Sequence, residues 1–160
     1  RVIPVKPLTK AAFEPFGDVV EVDGATPIGI NQGFAERVNG LARIDVAAGQ
    51  GTVNVSLFQA KARPRPIAVK LMERHPLGSQ LFYPLQDTDW LVLVCRDPRD
   101  ARSYRAFRAT GRQGVNYAVN VWHHPLLVFS DAERFIVVDR AGPGDNLEEV
   151  WLDQPLHIDV

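Results

Sequence analysis

Short runs of β-branched and aromatic residues recur along this chain, separated by clusters of Gly, Pro, Asp and Asn. Such runs are typical of strands, and the clusters are typical of turns. One short helix is predicted, because Thr9 can cap the segment 10–16 before Gly17 ends it. The pattern therefore predicts an all-β barrel or double-sheet roll. The predicted strands are FGDVVEV (16–22), ARIDVA (42–47), TVNVSLFQ (52–59), IAVKLMERH (67–75), LFYPL (81–85), WLVLVCR (90–96), SYRAFRA (103–109), GVNYAVNVWHHPLLVF (114–129) and RFIVVDR (134–140).

Composition excludes several classes of protein. A chain of 160 residues with 46% hydrophobic and 23% charged residues predicts one globular domain over 1–160. A net charge of -1 without a basic run argues against nucleic acid as a partner. The apolar run at 90–95 is far shorter than the ~20 residues of a membrane helix. A single cysteine, Cys95, permits no intrachain disulfide and favours a cytoplasmic location with a buried, inert thiol.

Two segments place ionisable side chains at the ends of apolar stripes. Strand alternation in IAVKLMERH puts Glu73 and His75 on the face of Ile67, Val69 and Leu71. If that face is the barrel interior, the carboxylate and imidazole require pairing, a metal or a substrate. After the turn at 76–79, Gln80 can return to the same mouth.

The second segment, GVNYAVNVWHHPLL at 114–127, repeats this design. Alternation places His123 on the face of Val115 and Tyr117, and Asn116 and His124 on the other face. His123 is the predicted inward imidazole, and a β-bulge in the strand would put His124 in its place. The sequence leaves both phases open.

The spacing Glu73-x-His75-x4-Gln80 resembles the first motif of the cupins, and His123 lies where the second motif falls. Glu73 stands at the position of a usual histidine ligand, and Gln80 stands at that of the usual glutamate. The resemblance implies a double-stranded β-helix, that is a jelly-roll barrel with minor short helices. It also implies weak metal binding by His75, Gln80 and His123.

A closer resemblance covers nearly the whole chain. ERHPLGSQ (73–80), QGVNYAVNVWHHPLL (113–127) and FIVVDRAGPGDN (135–146), with FGDVVE (16–21) and INQG (30–33), resemble the ureidoglycolate lyase family. The resemblance implies a homodimer that cleaves (S)-ureidoglycolate to glyoxylate and urea in allantoin and purine catabolism. It also implies stimulation by a divalent metal such as Ni²⁺.

The chemistry of this substrate suggests roles for the side chains. Cleavage needs a base for the hydroxyl and an acid for the leaving nitrogen, which His75 and His123 can supply, with His123 as the base. Glu73 can hold one imidazole in the required tautomer, and Gln80, Asn116 and His124 can hydrogen-bond the substrate.

Positive charge for the substrate carboxylate has several candidate sources. Arg74, Arg108, Lys70 and Arg37 are not ranked by the sequence. The arginines of a second group are expected to form a solvated surface: Arg63, Arg65, Arg99 and Arg102.

Two other functions, and structural roles for two of the candidate site residues, are alternatives to this interpretation. A non-catalytic cupin that binds a small carboxylate needs only the pocket, and a related amidohydrolase would release ammonia from the same substrate. Asn116 could merely satisfy backbone groups, and His124 could pack at a subunit interface.

Overall fold

The computed structural model describes residues 1–160 and consists mainly of strands. One helical turn, α1 (Lys10–Phe13), and four 3-10 segments complete it, and no helix is long or apolar enough to cross a membrane. The strands are β1 (Val2–Ile3), β2 (Val5–Pro7), β3 (Gly17–Val20), β4 (Ile28–Ile30), β5 (Ala35–Arg37), β6 (Thr52–Ala60), β7 (Ile67–Arg74), β8 (Gln80–Pro84), β9 (Trp90–Cys95), β10 (Arg105–Ala109), β11 (Gly114–Tyr117), β12 (Trp122–His123), β13 (Leu127–Val128), β14 (Glu133–Ala141) and β15 (Glu148–Ile158).

Two large sheets form the barrel. The eight-stranded sheet has the order β1-β15-β7-β12-β9-β10-β2, with β13 also paired to β9. The five-stranded sheet has the order β3-β11-β8-β14-β6. Strands β4 and β5 form a separate antiparallel hairpin. This architecture confirms the predicted all-β, cupin-type barrel.

Strand β9 is buried on both faces and separates two apolar clusters. Trp90, Val92 and Val94 belong to the cluster inside the barrel, where Trp90 meets Phe135 edge to face at 4.8 Å. The alternate residues of β9, such as Leu93, belong to the second cluster. The fully apolar WLVLVC sequence is therefore explained by burial of both faces.

The predicted helix is confirmed at its start. Thr9 Oγ1 accepts a hydrogen bond from the Ala12 amide at 3.1 Å and so caps α1. Gly17 follows with φ of 147°, and a Cβ there would lie 1.8 Å from the Asn116 carbonyl oxygen. Glycine therefore permits the close approach of β3 to β11.

Three strand predictions are wrong in detail. The segment 42–47 forms no strand, because Asp45 exchanges hydrogen bonds with Ser79, its amide with the hydroxyl and its carbonyl with the Ser79 amide. The predicted strand 114–129 is divided into β11, β12 and β13, and the turn between β11 and β12 contains Asn120 with φ of 71°. Strand β15 was not predicted, because polar residues and Pro155 interrupt its apolar pattern at a register shift, and the short strands β1, β2, β4 and β5 were not predicted either.

The phase expected for β7 changes within the strand. Ile67 and Val69 pack in the second cluster with Met72, and not on the face of Glu73. The pairing of β7 with β15 shifts register between Val69 and Leu71. Glu73 points into the barrel, as predicted. The apolar side chains of Ile67 and Val69, from which that orientation was inferred, lie on a different face.

Candidate active site

A cavity of about 720 Å³ opens into the barrel, within the usual size of a small-molecule site. Strands β6, β7, β8, β11 and β12 and the loops beside them form its walls. Its lining residues are Phe58, Gln59, Ala60, Lys61, Arg63, Glu73, His75, Gln80, Phe82, Tyr117, His123, His124, Pro125, Leu126, Asn146 and Leu147.

Glu73, His75 and His123 form a cluster in this cavity. His123 pairs with Glu73 across β12 and β7, which brings its Nε2 to 3.8 Å from Glu73 Oε1. The His75 and His123 ring centroids lie 5.2 Å apart. One potential ligand atom from each residue lies within 4.8 Å of the other two. The two sequence segments therefore meet at one site.

Backbone carbonyls orient both imidazoles. His75 Nδ1 donates to the Asn146 carbonyl at 2.8 Å, and His123 Nδ1 donates to the Val121 carbonyl at 3.1 Å. His123 also stacks on Tyr117 with a centroid distance of 4.1 Å. Each Nε2 is left as a buried acceptor without a hydrogen-bond partner. The orienting role predicted for Glu73 is thus filled by main-chain groups.

Burial governs the charge states in the cluster. Loss of solvation, together with a smaller effect of the nearby His75, lowers the pKa of His123 to about 3. Burial likewise lowers the pKa of His124 to about 4. The pKa of Glu73 is raised by burial, an effect that His75 opposes. His123 and His124 are therefore neutral imidazoles at pH 7, able to accept a proton or bind a metal.

Acidification is expected to destabilise the metal-free protein between pH 7 and about pH 4. In that range His123 and His124 bind protons in the unfolded chain, where their pKa is 6.5, but not in the fold. Each withheld proton lowers the free energy of unfolding by up to ~1.4 kcal/mol per pH unit. Glu73 offsets part of this loss, because its raised pKa favours proton binding by the folded state.

Urea denaturation in chelator at several pH values measures this slope. Replacing His124 by Asn should make the dependence shallower than in the unmodified protein. Equal slopes for the protein and its His124→Asn variant would contradict the assignment of a neutral buried imidazole.

The structure brings two of the predicted substrate-binding residues to the cavity and directs a third away. Gln80 lines it and donates from Nε2 to Asp139 Oδ2 at 3.2 Å, leaving its carbonyl oxygen available. His124 lines it too, and its Nδ1 donates to the Pro125 carbonyl at 2.7 Å. Asn116 instead donates from Nδ2 to Asp18 and to the Arg43 carbonyl, outside the cavity.

The cations predicted to bind the substrate carboxylate do not line the cavity. Arg74 pairs with Glu148 at 2.8 Å and stacks over the Trp122 ring. Arg108 pairs with Asp89 at 2.8 Å, and its guanidinium stacks on the Phe129 ring. Lys70 is exposed on β7, and Arg37 is exposed on the β4–β5 hairpin.

Arg63, expected at the surface, lines the cavity together with Lys61. Its charge lowers the pKa of both Glu73 and His124, which places it near the cluster. Both cations lie in the segment that connects β6 to β7. Their position in this connection between two wall strands was the signal that could have identified them.

A β-barrel with an inward cluster of two imidazoles and a carboxylate defines a protein of the cupin class. The family model described as ureidoglycolate lyase matches residues 1–159 of this chain. The chain belongs to the ureidoglycolate lyase family.

Curated relatives support the same assignment. Ureidoglycolate lyase 1 of Rhizobium meliloti (strain 1021) is 52% identical over 96% of this chain and 91% of its own. The Burkholderia mallei (strain NCTC 10229) ureidoglycolate lyase is 49% identical, with coverages of 98% and 92%. That of Brucella ovis (strain ATCC 25840 / 63/290 / NCTC 10512) is 50% identical, with coverages of 92% and 88%.

Proposed function

We infer that this chain is a ureidoglycolate lyase that releases glyoxylate and urea. The observation that carries the proposal is the pair of buried, unpartnered imidazole Nε2 atoms beside Glu73 in a cavity of suitable size. Membership of the family favours ureidoglycolate as the substrate. The proposal treats 1–160 as one domain in a cytoplasmic homodimer.

Three bare donor atoms that converge in a buried site suit a divalent ion. Glu73, His75 and His123 supply one carboxylate and two imidazoles, and the Nδ1 atom of each imidazole is already held by a backbone carbonyl. We propose that these residues hold an ion such as Ni²⁺, with the Gln80 carbonyl oxygen as a further candidate ligand. When bound, the ion would supply positive charge that polarises the substrate's oxygen atoms.

If His123 is a metal ligand, the base is a different imidazole. His124 lines the same cavity, is neutral at pH 7, and donates from Nδ1 to Pro125, so its Nε2 is an acceptor. We propose that His124 Nε2 takes the proton of the substrate hydroxyl. The carbon–oxygen double bond of glyoxylate forms as the carbon–nitrogen bond breaks, and the same imidazole returns the proton to the ureido nitrogen, giving urea.

Arg63 and Lys61 are the proposed anchors of the substrate carboxylate. Both line the cavity, and the guanidinium can form two parallel hydrogen bonds to a carboxylate. Binding there would place the ureido group and hydroxyl toward the histidines.

Replacement of Arg63 by Ala is expected to raise KM about 10- to 100-fold, because a charge-assisted hydrogen bond contributes roughly 1.5–3 kcal/mol. Steady-state kinetics measure the change. Arg65→Ala is the matched control, since Arg65 lies in the same segment but stacks on the Phe129 ring outside the cavity. Equal KM values for the two variants would refute the anchor.

The activity is tested by incubating purified protein with ureidoglycolate, with Ni²⁺ or chelator, while glyoxylate, urea and ammonia are measured separately. Glyoxylate and urea in equal amounts support the lyase. Ammonia release would identify an amidohydrolase instead, and binding without turnover would identify a binding protein.

A further inference from the structure

The β4–β5 hairpin has no partner within its own chain. All residues from 26 to 40 are exposed or half-exposed, and Phe34 is 93% exposed. Residues 28–37 form hydrogen bonds only with one another and, from Arg37, with the nearby Asn39. An isolated two-stranded hairpin is marginally stable in water. The hairpin therefore requires a surface that its own chain does not provide.

The tip of this hairpin carries the INQG motif at 30–33. Asn31 and Gln32 both adopt positive φ, 52° and 57°, before Gly33 at 88°. None of these residues lines the cavity of its own chain. Two successive non-glycine residues keep a left-handed backbone conformation only where the surrounding structure holds them in it. The rest of this chain makes no hydrogen bond that would hold Asn31 and Gln32 in this conformation.

Strand β6 offers a free edge. It is the last strand of the five-stranded sheet and pairs only with β14, although it is nine residues long. Its sequence, TVNVSLFQA, contains no charged residue and no proline to block further pairing. An edge of this kind is a template for another strand.

The outer face of the sheet beside this edge is apolar. Val53, Val55 and Leu57 are 58%, 67% and 61% exposed. Two of their three cross-strand neighbours on β14 extend the apolar face, since Val55 pairs with Val138 and Leu57 with Ile136, whereas Val53 pairs with Arg140. The alternate residues face inward. An antiparallel sheet exposed to water normally has a polar outer face, so this face is expected to be covered.

A second copy of this chain fits both features. The hairpin and the free edge belong to one sequence, so a twofold exchange would satisfy both elements in both copies. The hairpin exposes Ile28, Ile30 and Phe34, and the outer face of β6 exposes Val53, Val55 and Leu57, so both surfaces offer apolar area toward the roughly 800 Å² that a stable interface buries per partner. A net charge of -1 per chain opposes this association little.

We propose that each hairpin docks on the free edge and outer face of β6 in a second copy, and that this contact holds the wall of the active site. Phe58 and Ala60, at the end of β6, and Lys61, directly after it, line the cavity. The partner's hairpin would therefore fix the strand that carries the wall. The inference rests on the homodimer in the proposed function and identifies the segments that form it.

Charge substitutions on either side of the contact test the proposal. Phe34→Asp alters a side chain with no intrachain role to disturb folding, and Val55→Asp alters the docking face. Val2→Asp is the control, because Val2 is 59% exposed but lies on β1. Sedimentation at several concentrations measures the assembly, circular dichroism measures folding, and ureidoglycolate turnover is measured on the same samples.

The unmodified protein should sediment at twice 17.8 kDa. Phe34→Asp and Val55→Asp should each raise the dimer dissociation constant about 30-fold or more, the loss expected at a central interface residue. Turnover per chain should fall where these variants are monomeric. A monomeric parent protein, or two folded variants as dimeric as the control, would overturn the interface. Fully active monomers would overturn its role in the cavity wall, whereas an inactive parent dimer would refute the lyase activity alone.

Discussion

Replacement of His124 by alanine lowers kcat by roughly 10²- to 10⁴-fold, the contribution expected of a general base, while bound metal stays at its original level. The reason is positional. His124 lines the cavity with its Nε2 as an acceptor, but it lies outside the cluster of Glu73, His75 and His123. Stopped or steady-state assays of glyoxylate formation measure the loss, and elemental analysis measures the metal.

A matched variant separates the base from the metal ligands. His123→Ala is expected to lose metal and activity together, because it removes one of the three converging donor atoms. His157→Ala, on β15 and outside the cavity, should retain both. If His124→Ala were fully active and His123→Ala were inactive with its metal retained, the base would be His123.

Much of the site was predictable because strand alternation and two short motifs determine which side chains meet. Glu73, His75 and His123 were each identified from their place at the end of an apolar stripe, and the structure brings them together. Even so, the stripe in β7 changes phase opposite the shift in β15. The local pattern therefore predicted the residues of the cluster correctly, although the apolar stripe on which the prediction for Glu73 rested does not extend along the whole of β7.

The remaining contacts depend on long-range pairing that no local pattern encodes. Arg63 lines the cavity from the connection between β6 and β7, whereas Arg74 is held by Glu148 on β15, a strand that was not predicted. Asn116 is turned away by Asp18 and by a loop carbonyl. Each outcome is set by a partner that is distant in sequence.

Replacement of Glu73 by Gln is expected to weaken Ni²⁺ binding about 100-fold or more, because it removes the one carboxylate of the cluster and keeps the side chain's size. Glu149→Gln is a close control, since Glu149 pairs with Glu73 across β15 and β7. The substitution removes the same negative charge, but from the surface. Competition with a metal-binding dye measures affinity without reference to turnover. Should both variants bind Ni²⁺ as the parent does, the cluster is not the metal site. Loss of activity in Glu73→Gln without loss of metal would instead make Glu73, whose pKa is raised by burial, the proton donor to the leaving nitrogen.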